Sequence, residues 1–238
     1  MKSLDLNMQL SKTNIQNIFT KELIPSNPKK IIIYVHGLGS NKTYIDRFSK
    51  LLNNNIGLIS FDFPGHGEDS TPFENFSIEL CISYLEKVIK YTTDKYQLDI
   101  CLFGSSFGGF VVLNELIKKQ YKTILMCPAI NFGSIIKRKT NIDDKYFDTN
   151  EYLPLYNDIK IWKNVYLDIV EREKKIYNYK YKNIHIISGS DDKTTLYDDI
   201  HNFCLNNDIK LKKLENGKHE LYGYEDDIVN FIIKNLDI

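Results

Sequence analysis

The pentapeptide Gly104-Ser105-Ser106-Phe107-Gly108 stands between two runs of different character. Before it, Leu98-Asp99-Ile100-Cys101-Leu102-Phe103 is short and apolar, as a buried strand is. After it, Gly109-Phe110-Val111-Val112-Leu113-Asn114-Glu115-Leu116-Ile117 has the length and composition of a helix. A chain that passes from strand to helix through G-x-S-x-G must turn sharply, and the turn pushes the serine hydroxyl out of the backbone. A Cβ at either flanking glycine would clash in so tight a turn. Ser106 is therefore a candidate nucleophile. The five-residue pattern also occurs by chance, and its place between a strand and a helix is what gives it weight.

The same rhythm runs along the chain. Residues 14–24 read as one or two early strands, closed by the turn signal Pro25-Ser26-Asn27-Pro28. Ile31-Ile32-Ile33-Tyr34-Val35 and Ile56-Gly57-Leu58-Ile59-Ser60-Phe61 are continuously apolar, as strands buried on both faces are. Tyr44 to Leu52 is helix-like. Ile78, Cys81, Ile82, Leu85, Val88 and Ile89 recur at helical spacing behind the N-cap candidate Ser77. Strands follow at Thr123–Cys127, Ile184–Ser188 and Ile209–Leu214, with helices at Leu196–Leu205 and Ile228–Leu236. Thr195-Leu196-Tyr197-Asp198 fits a capping box and predicts that Thr195 starts the first of those two helices.

Alternation of this kind predicts an α/β fold: a mostly parallel central sheet with helices on both faces. About fifty residues separate Pro128 from Tyr181, more than a βα crossover needs. They are rich in Tyr and Phe and contain the amphipathic run Ile161-Trp162-Val165-Tyr166-Ile169-Val170. We read residues 129–181 as a small helical cap inserted in one domain spanning residues 1–238. Phe132, Trp162 and Tyr166 are then candidate walls of an apolar substrate pocket.

Composition narrows the function. The chain has 238 residues, with 31 Lys+Arg against 31 Asp+Glu and no net charge. No long-range field selects nucleic acid or an anionic membrane. The clusters Ile136-Lys137-Arg138-Lys139 and Glu173-Lys174-Lys175 read as solvated faces. Met1 to Leu10 lacks the apolar core of a signal peptide, and no apolar run approaches the roughly 18 residues of a membrane span. A cytoplasmic location without stable membrane insertion is expected. Cys81, Cys101, Cys127 and Cys204 are far apart in apolar segments, as free buried thiols are. No metal-ligand cluster or nucleotide-binding loop is present in the sequence, so no cofactor is expected.

In a parallel sheet, ligands bind beyond the carboxyl ends of the strands. The residues at those ends include His36-Gly37-Leu38-Gly39, Ser106, Asp191-Asp192 and Lys218-His219. A serine hydroxyl needs a base within reach. Of the five histidines, His219 follows the last strand on a turn-rich loop and is the candidate base. His36 precedes Gly37 and is expected to shape its loop, His185 lies within a strand, and His201 lies within a helix. The base needs an acid to fix its tautomer, and Ser188-Gly189-Ser190-Asp191-Asp192 offers two. If Thr195 caps the next helix, Asp192 is left free to face His219. Backbone N–H groups of Leu38 and Phe107 are candidate oxyanion donors, because both are fixed before reaction.

Together, His36-Gly37-Leu38-Gly39, Asp62-Phe63-Pro64-Gly65-His66-Gly67, Gly104-Ser105-Ser106-Phe107-Gly108, Gly189-Ser190-Asp191-Asp192 and Gly217-Lys218-His219 resemble the motifs of the α/β-hydrolase superfamily, over residues 18–236. The order Ser…Asp…His is that of the family. The resemblance implies a serine esterase or lipase-like enzyme in which Asp192, three residues after Gly189, is the acid. It implies Leu38 and Phe107 as the oxyanion donors, with His66 in a structural loop. The single-glycine start of the oxyanion loop departs from the HGGG type. The expected activity is hydrolysis of carboxylic esters of small to medium acyl chain, with a small-molecule acyl substrate. Thioester hydrolysis or acyl transfer by the same triad is the alternative, and a non-catalytic binding protein of this fold is a third reading. The oligomeric state stays open.

Overall fold

Ten strands and seven α-helices carry the chain through the computed structural model, which describes residues 9–143, 145–155 and 159–236. Residues 1–8, where no signal peptide was read, lie outside them. The strands are β1 (Gln9–Ile15), β2 (Ile18–Ile24), β3 (Lys30–Val35), β4 (Ile56–Phe61), β5 (Ile100–Ser105), β6 (Lys122–Met126), β7 (Tyr152–Pro154), β8 (Lys160–Trp162), β9 (Ile184–Gly189) and β10 (Lys210–Leu214). The helices are α1 (Ile78–Tyr96), α2 (Phe107–Lys118), α3 (Phe132–Thr140), α4 (Tyr146–Thr149), α5 (Lys163–Asn178), α6 (Tyr197–Asn207) and α7 (Glu225–Asn235).

Eight strands form one sheet in the order β1-β2-β4-β3-β5-β6-β9-β10. From β4 to β10 every neighbouring pair is parallel, and β2 joins β4 antiparallel. The early segment is two strands, closed by Gln16 and Asn17 at φ 50° and 72°, the positive-φ pair that matches hairpin twist. β3 is buried on both faces, as its β-branched run predicts. Ile31, Ile33 and Val35 join one core, shared with α1, α2 and α5. Ile32 and Tyr34 join the other, shared with Ile228, Val229 and Ile232 of α7.

The chain steps from β3 to β4 on one side and then to β5 on the other. The crevice between the carboxyl ends of β3 and β5 is thus a topological switch point, where such sheets hold their ligands. The loop of Leu38 and the turn of Ser106 meet there.

Several boundaries differ from the sequence reading. The segment read as a helix from Tyr44 is a 3-10 helix over Lys42–Asn54, begun by Asn41, whose side chain accepts from the Thr43 N–H. Ser77 caps α1 as expected, accepting from the Leu80 N–H at 3.1 Å. Thr195 does not cap α6. That helix starts at Tyr197 with no side-chain cap, because the Thr195 hydroxyl is engaged elsewhere. The long stretch after β6 contains α3, α4, the small antiparallel pair β7–β8, and α5. The run beginning at Ile161 crosses from β8 into α5. That helix packs on α1 and α2 as well as α3, so it covers the sheet as a crossover helix does. The part free to lie over the site is α3 with the β7–β8 hairpin.

Candidate active site

The turn after β5 is strained and locked. Ser106 adopts φ 50° and ψ −120°, a region that costs a non-glycine residue on the order of 1–3 kcal/mol. Its N–H donates to the Met126 carbonyl at 3.0 Å, and its own carbonyl accepts from the N–H of Ala129 at 3.0 Å and of Gly109 at 2.9 Å. The strained residue is thus pinned to the end of β6. Packing explains the second glycine of the motif: a Cβ on Gly108 would stand 2.1 Å from the Val35 carbonyl oxygen. Helix α2 therefore starts directly against the end of β3. The neighbouring Ser105 hydroxyl is engaged with the buried Tyr34 hydroxyl at 2.7 Å.

Two other loops meet through another glycine pair. A Cβ on Gly189 would lie 2.1 Å from the Gly217 carbonyl oxygen. Asp191 N–H donates to that same carbonyl at 2.9 Å. This backbone contact sets the loop after β9 beside the loop after β10, and with it Asp192 beside His219. His219 Nδ1 lies 2.7 Å from Asp192 Oδ2, and His219 Nε2 lies 2.9 Å from Ser106 Oγ. An ionised carboxylate only accepts hydrogen bonds, so Nδ1 carries the proton and Nε2 is free to accept from the serine.

Asp192 is buried. Burial opposes its ionisation. Hydrogen bonds from His219 and Thr195, with the Thr194 N–H, outweigh that and hold the carboxyl below its ordinary range. Its Oδ1 accepts from the N–H groups of Thr194 and Thr195 at 2.7 and 2.9 Å, and its Oδ2 from the Thr195 hydroxyl at 2.6 Å. Thr195 is the residue that the sequence reading misplaced. Its local spacing matched a helix cap, while its partner is set by the loop's fold. Asp191 is exposed and lies outside this network.

The loop after β3 is held by His36. Its Nδ1–H donates to the Gly37 carbonyl at 2.8 Å, and its Nε2 accepts from the Phe63 N–H at 3.1 Å. Complete burial depresses the imidazole to about 3, so it serves as a neutral strut and moves no proton at ordinary pH. Gly37 lies against Ser106, and Leu38 lines the space before it. Phe107 is the first residue of α2, whose opening N–H groups have no partner within the helix. The loop after β4 is equally fixed. Buried Asp62 accepts from Lys42 Nζ at 2.5 Å and from the N–H groups of Lys42 and Glu68 at 2.8 and 2.9 Å. His66 is buried in that loop and donates from Nδ1 to the Pro64 carbonyl at 2.9 Å.

A cavity of about 440 Å³ opens on Ser106, walled by Leu38, Phe107, Phe132, Ile135, Ile136 and Leu155. Phe132 is where the aromatic pattern put it. Trp162 and Tyr166 are not on this wall. Trp162 packs on Tyr152 and Tyr166 on Phe147, because the apolar face of their segment turns toward the protein core. Ile135 and Ile136 take their place, on a helix whose basic end had read as a solvated surface.

Among the described residues, Cys127, Asp192 and His219 form the one group with potential metal-ligand atoms within 4.8 Å of one another. Asp192 and His219 are bonded to each other, however. Burial, then the charge of Asp192, pushes the Cys127 thiol far up. It is a neutral thiol, not a ready thiolate ligand. Among the described residues no helix is long and apolar enough to cross a membrane.

A sheet of this topology with a serine elbow at its switch point defines an α/β hydrolase. The model of the alpha/beta hydrolase family matches residues 32–164, and the chain belongs to that family. No curated protein matches by sequence. Among solved structures, Est1E from Butyrivibrio proteoclasticus with bound ferulic acid is similar at TM-score 0.79 and 18% identity, covering 96% of this chain and 100% of that one. A putative hydrolase from Agrobacterium vitis S4 gives 0.78 and 18%, covering 96% and 98%. The monoacylglycerol lipase of Paleococcus ferrophilus gives 0.67 and 16%, covering 92% and 99%. At these identities the likeness is one of fold.

Proposed function

We propose that the protein is a serine hydrolase that cleaves carboxylic esters of small to medium acyl chain through an acyl-enzyme. The observation that carries this reading is the continuous hydrogen-bonded line from Asp192 through His219 to Ser106, at 2.7 and 2.9 Å, at the mouth of an apolar cavity. Ser106 Oγ attacks the ester carbonyl carbon while His219 Nε2 takes its proton. The oxyanion forms against the N–H groups of Leu38 and Phe107, which need no reorganisation during the step. Collapse breaks the acyl–oxygen bond, and His219 returns the proton to the leaving alkoxide. Water then repeats the sequence on the acyl-enzyme and frees the acid and Ser106. Asp192 holds Nδ1 protonated and stabilises the imidazolium. The segment of α3 and β7–β8 acts as the cap that walls the acyl site. Similarity to the fold of a ferulate-binding protein and of a monoacylglycerol lipase agrees with an ester substrate.

The test is fluorophosphonate labelling with peptide mapping, followed by kcat/KM on a panel of acyl esters and thioesters, with Ser106→Ala as control. The label is expected on Ser106 and not on Ser105, and hydrolysis of esters is expected to vanish in the variant. Label on Ser105, or ester turnover that survives Ser106→Ala, overturns the reading. Preference for thioesters would move the leaving group from alkoxide to thiolate with the same triad.

A further inference from the structure

Ser106 separates two compartments of unequal size and character. The large one is the apolar cavity of about 440 Å³. The small one, about 60 Å³, has Tyr34, Tyr44, Ser105, His219 and Glu220 in its lining, beside Met126 and Cys127. Leu38 and Ser106 border both. His219 borders the small compartment and not the large one, while Phe107 borders the large one and not the small one.

The histidine that takes the serine proton must hand it to the leaving oxygen. The leaving group therefore departs on the side of His219, and the attacking water enters there. This assigns the alcohol to the small compartment and the acyl chain to the large one. A volume of 60 Å³ matches about two waters, the size of a very short alcohol.

The two linings also carry opposite charge. Lys139 is the charged residue of the large cavity's wall. It sits in the last turn of α3, one turn beyond Ile135 and Ile136, which line the same cavity. Its neighbour Arg138 donates to the carbonyl of Thr194, another lining residue, at 2.6 Å. Lys139 itself is exposed and has no hydrogen-bond or ion-pair partner among the described residues. On the other side, Glu220 is among the residues of the small compartment's lining. Its carboxylate accepts from the Tyr44 hydroxyl at 3.0 Å, and Arg47, behind that lining, donates to the same hydroxyl and to the Glu220 carbonyl. An anion thus meets a lysine in the lining of the acyl site, and a carboxylate with no lysine or arginine in the lining of the leaving-group site.

We propose that the substrate is an ester whose acyl chain ends in a carboxylate, paired by Lys139, and whose alcohol is short and uncharged. The inference rests on the ester-hydrolase reading above and names its substrate class. Hydrolysis of such a hemiester breaks the acyl–oxygen bond, adds water, and yields a dicarboxylic acid and a short alcohol. Lys139 both lines the cavity and is exposed, so its ammonium is expected to rank substrates by their far end and to leave the reacting carbonyl alone.

Two measurements separate this inference from the reading beneath it. In the first, kcat/KM is compared for monomethyl suberate and methyl octanoate, which differ in the terminal carboxylate. The wild type is expected to prefer the hemiester by at least about threefold at low salt, the scale of a partly solvated ion pair, and less as salt screens it. Lys139→Met is expected to lose the preference and Lys139→Glu to reverse it. In the second, octanoyloxyacetate, with its anion on the alcohol side, is expected to be poorer than octanoyloxyacetamide. An unchanged preference in both Lys139 variants, or a better octanoyloxyacetate, overturns the inference while ester hydrolysis stands. Calorimetric binding of monomethyl suberate to Ser106→Ala, with and without Lys139→Met, needs no turnover. Lys139-dependent binding without ester cleavage by the wild type would keep the anion site and remove the hydrolase reading.

Discussion

Thr195 shows how one residue decides the state of another. Its hydroxyl lies 2.6 Å from Asp192 Oδ2 and 3.3 Å from His219 Nδ1. Donation to the carboxylate spreads the charge that the imidazolium must face. Thr195→Val removes that donor and leaves the shape. A charge-assisted hydrogen bond is worth about 1.5–3 kcal/mol, so turnover is expected to fall about tenfold or more, with Thr195→Ser restoring most of it. Turnover that stays low in Thr195→Ser, or stays unchanged in a folded Thr195→Val, would make Thr195 a packing residue. The acid itself is tested by paired amides. Asp192→Asn is expected to lose at least about a hundredfold in turnover, since loss of the orienting aspartate reaches about 10⁴ elsewhere. Asp191→Asn, exposed and outside the network, is expected to lose less than about tenfold. The reverse ranking in steady-state kinetics on folded variants would transfer the role to Asp191.

At the scale of elements, the site depends on how closely backbones approach. Gly108 puts the start of α2 against β3, where an added Cβ would stand 2.1 Å from Val35 O and 2.5 Å from His36 O. Neither oxygen can yield, because β3 is the centre of the sheet. Gly108→Ala is expected to cost more than about 3 kcal/mol, the range of severe overpacking, read as a large fall in Tm by circular dichroism. A near-native Tm would mean that α2 can slide outward. These contacts also explain what the sequence disclosed. β3, β4 and β5 were legible because strands buried on both faces read as short, almost unbroken apolar runs. Ser106, Asp192 and His219 could be singled out because each lies after a strand end, two or three residues from a glycine. What was hidden depended on partners distant in sequence. Thr195 matched a cap locally and bonds an aspartate instead. Trp162 and Tyr166 had the spacing of a pocket wall, but tertiary packing turned their faces inward. The 3-10 geometry of Lys42–Asn54 leaves apolar spacing much like that of an α-helix.

Across the whole molecule, the proposed site at Ser106 lies at one end of α2 and a buried carboxyl at the other. α2 begins beside Ser106 and ends at Lys118. Near that far end Glu115 is buried, with one carboxylate oxygen lacking a hydrogen-bond partner among the described residues. Burial, then the neighbouring Glu86, pushes its carboxyl up to about 7, against the opposing pull of Lys118 and Lys119. The sign follows from proton linkage. Between the ordinary value of 4.5 and about 7, the folded state holds a proton that the unfolded chain has lost. Stability from this group is therefore full below the ordinary value and is lost as pH rises through about 7. Glu173, which accepts from the Gly133 N–H at 2.8 Å, is also pushed up to about 7, chiefly by burial, and adds to the same slope. Glu115→Gln keeps the shape and removes one titration. At about pH 4, below the ordinary value, the variant and wild type are expected to melt nearly together, since the side chain is then largely neutral in the folded and the unfolded chain alike. At about pH 8 the variant is expected to melt several degrees higher, from a difference on the order of 1–3 kcal/mol in a chain of this size. Activity at Ser106, at the opposite end of the helix, is expected to keep its pH profile. A Tm gap that is absent at about pH 8, or larger at about pH 4, would show that the carboxylate is solvated in the folded protein.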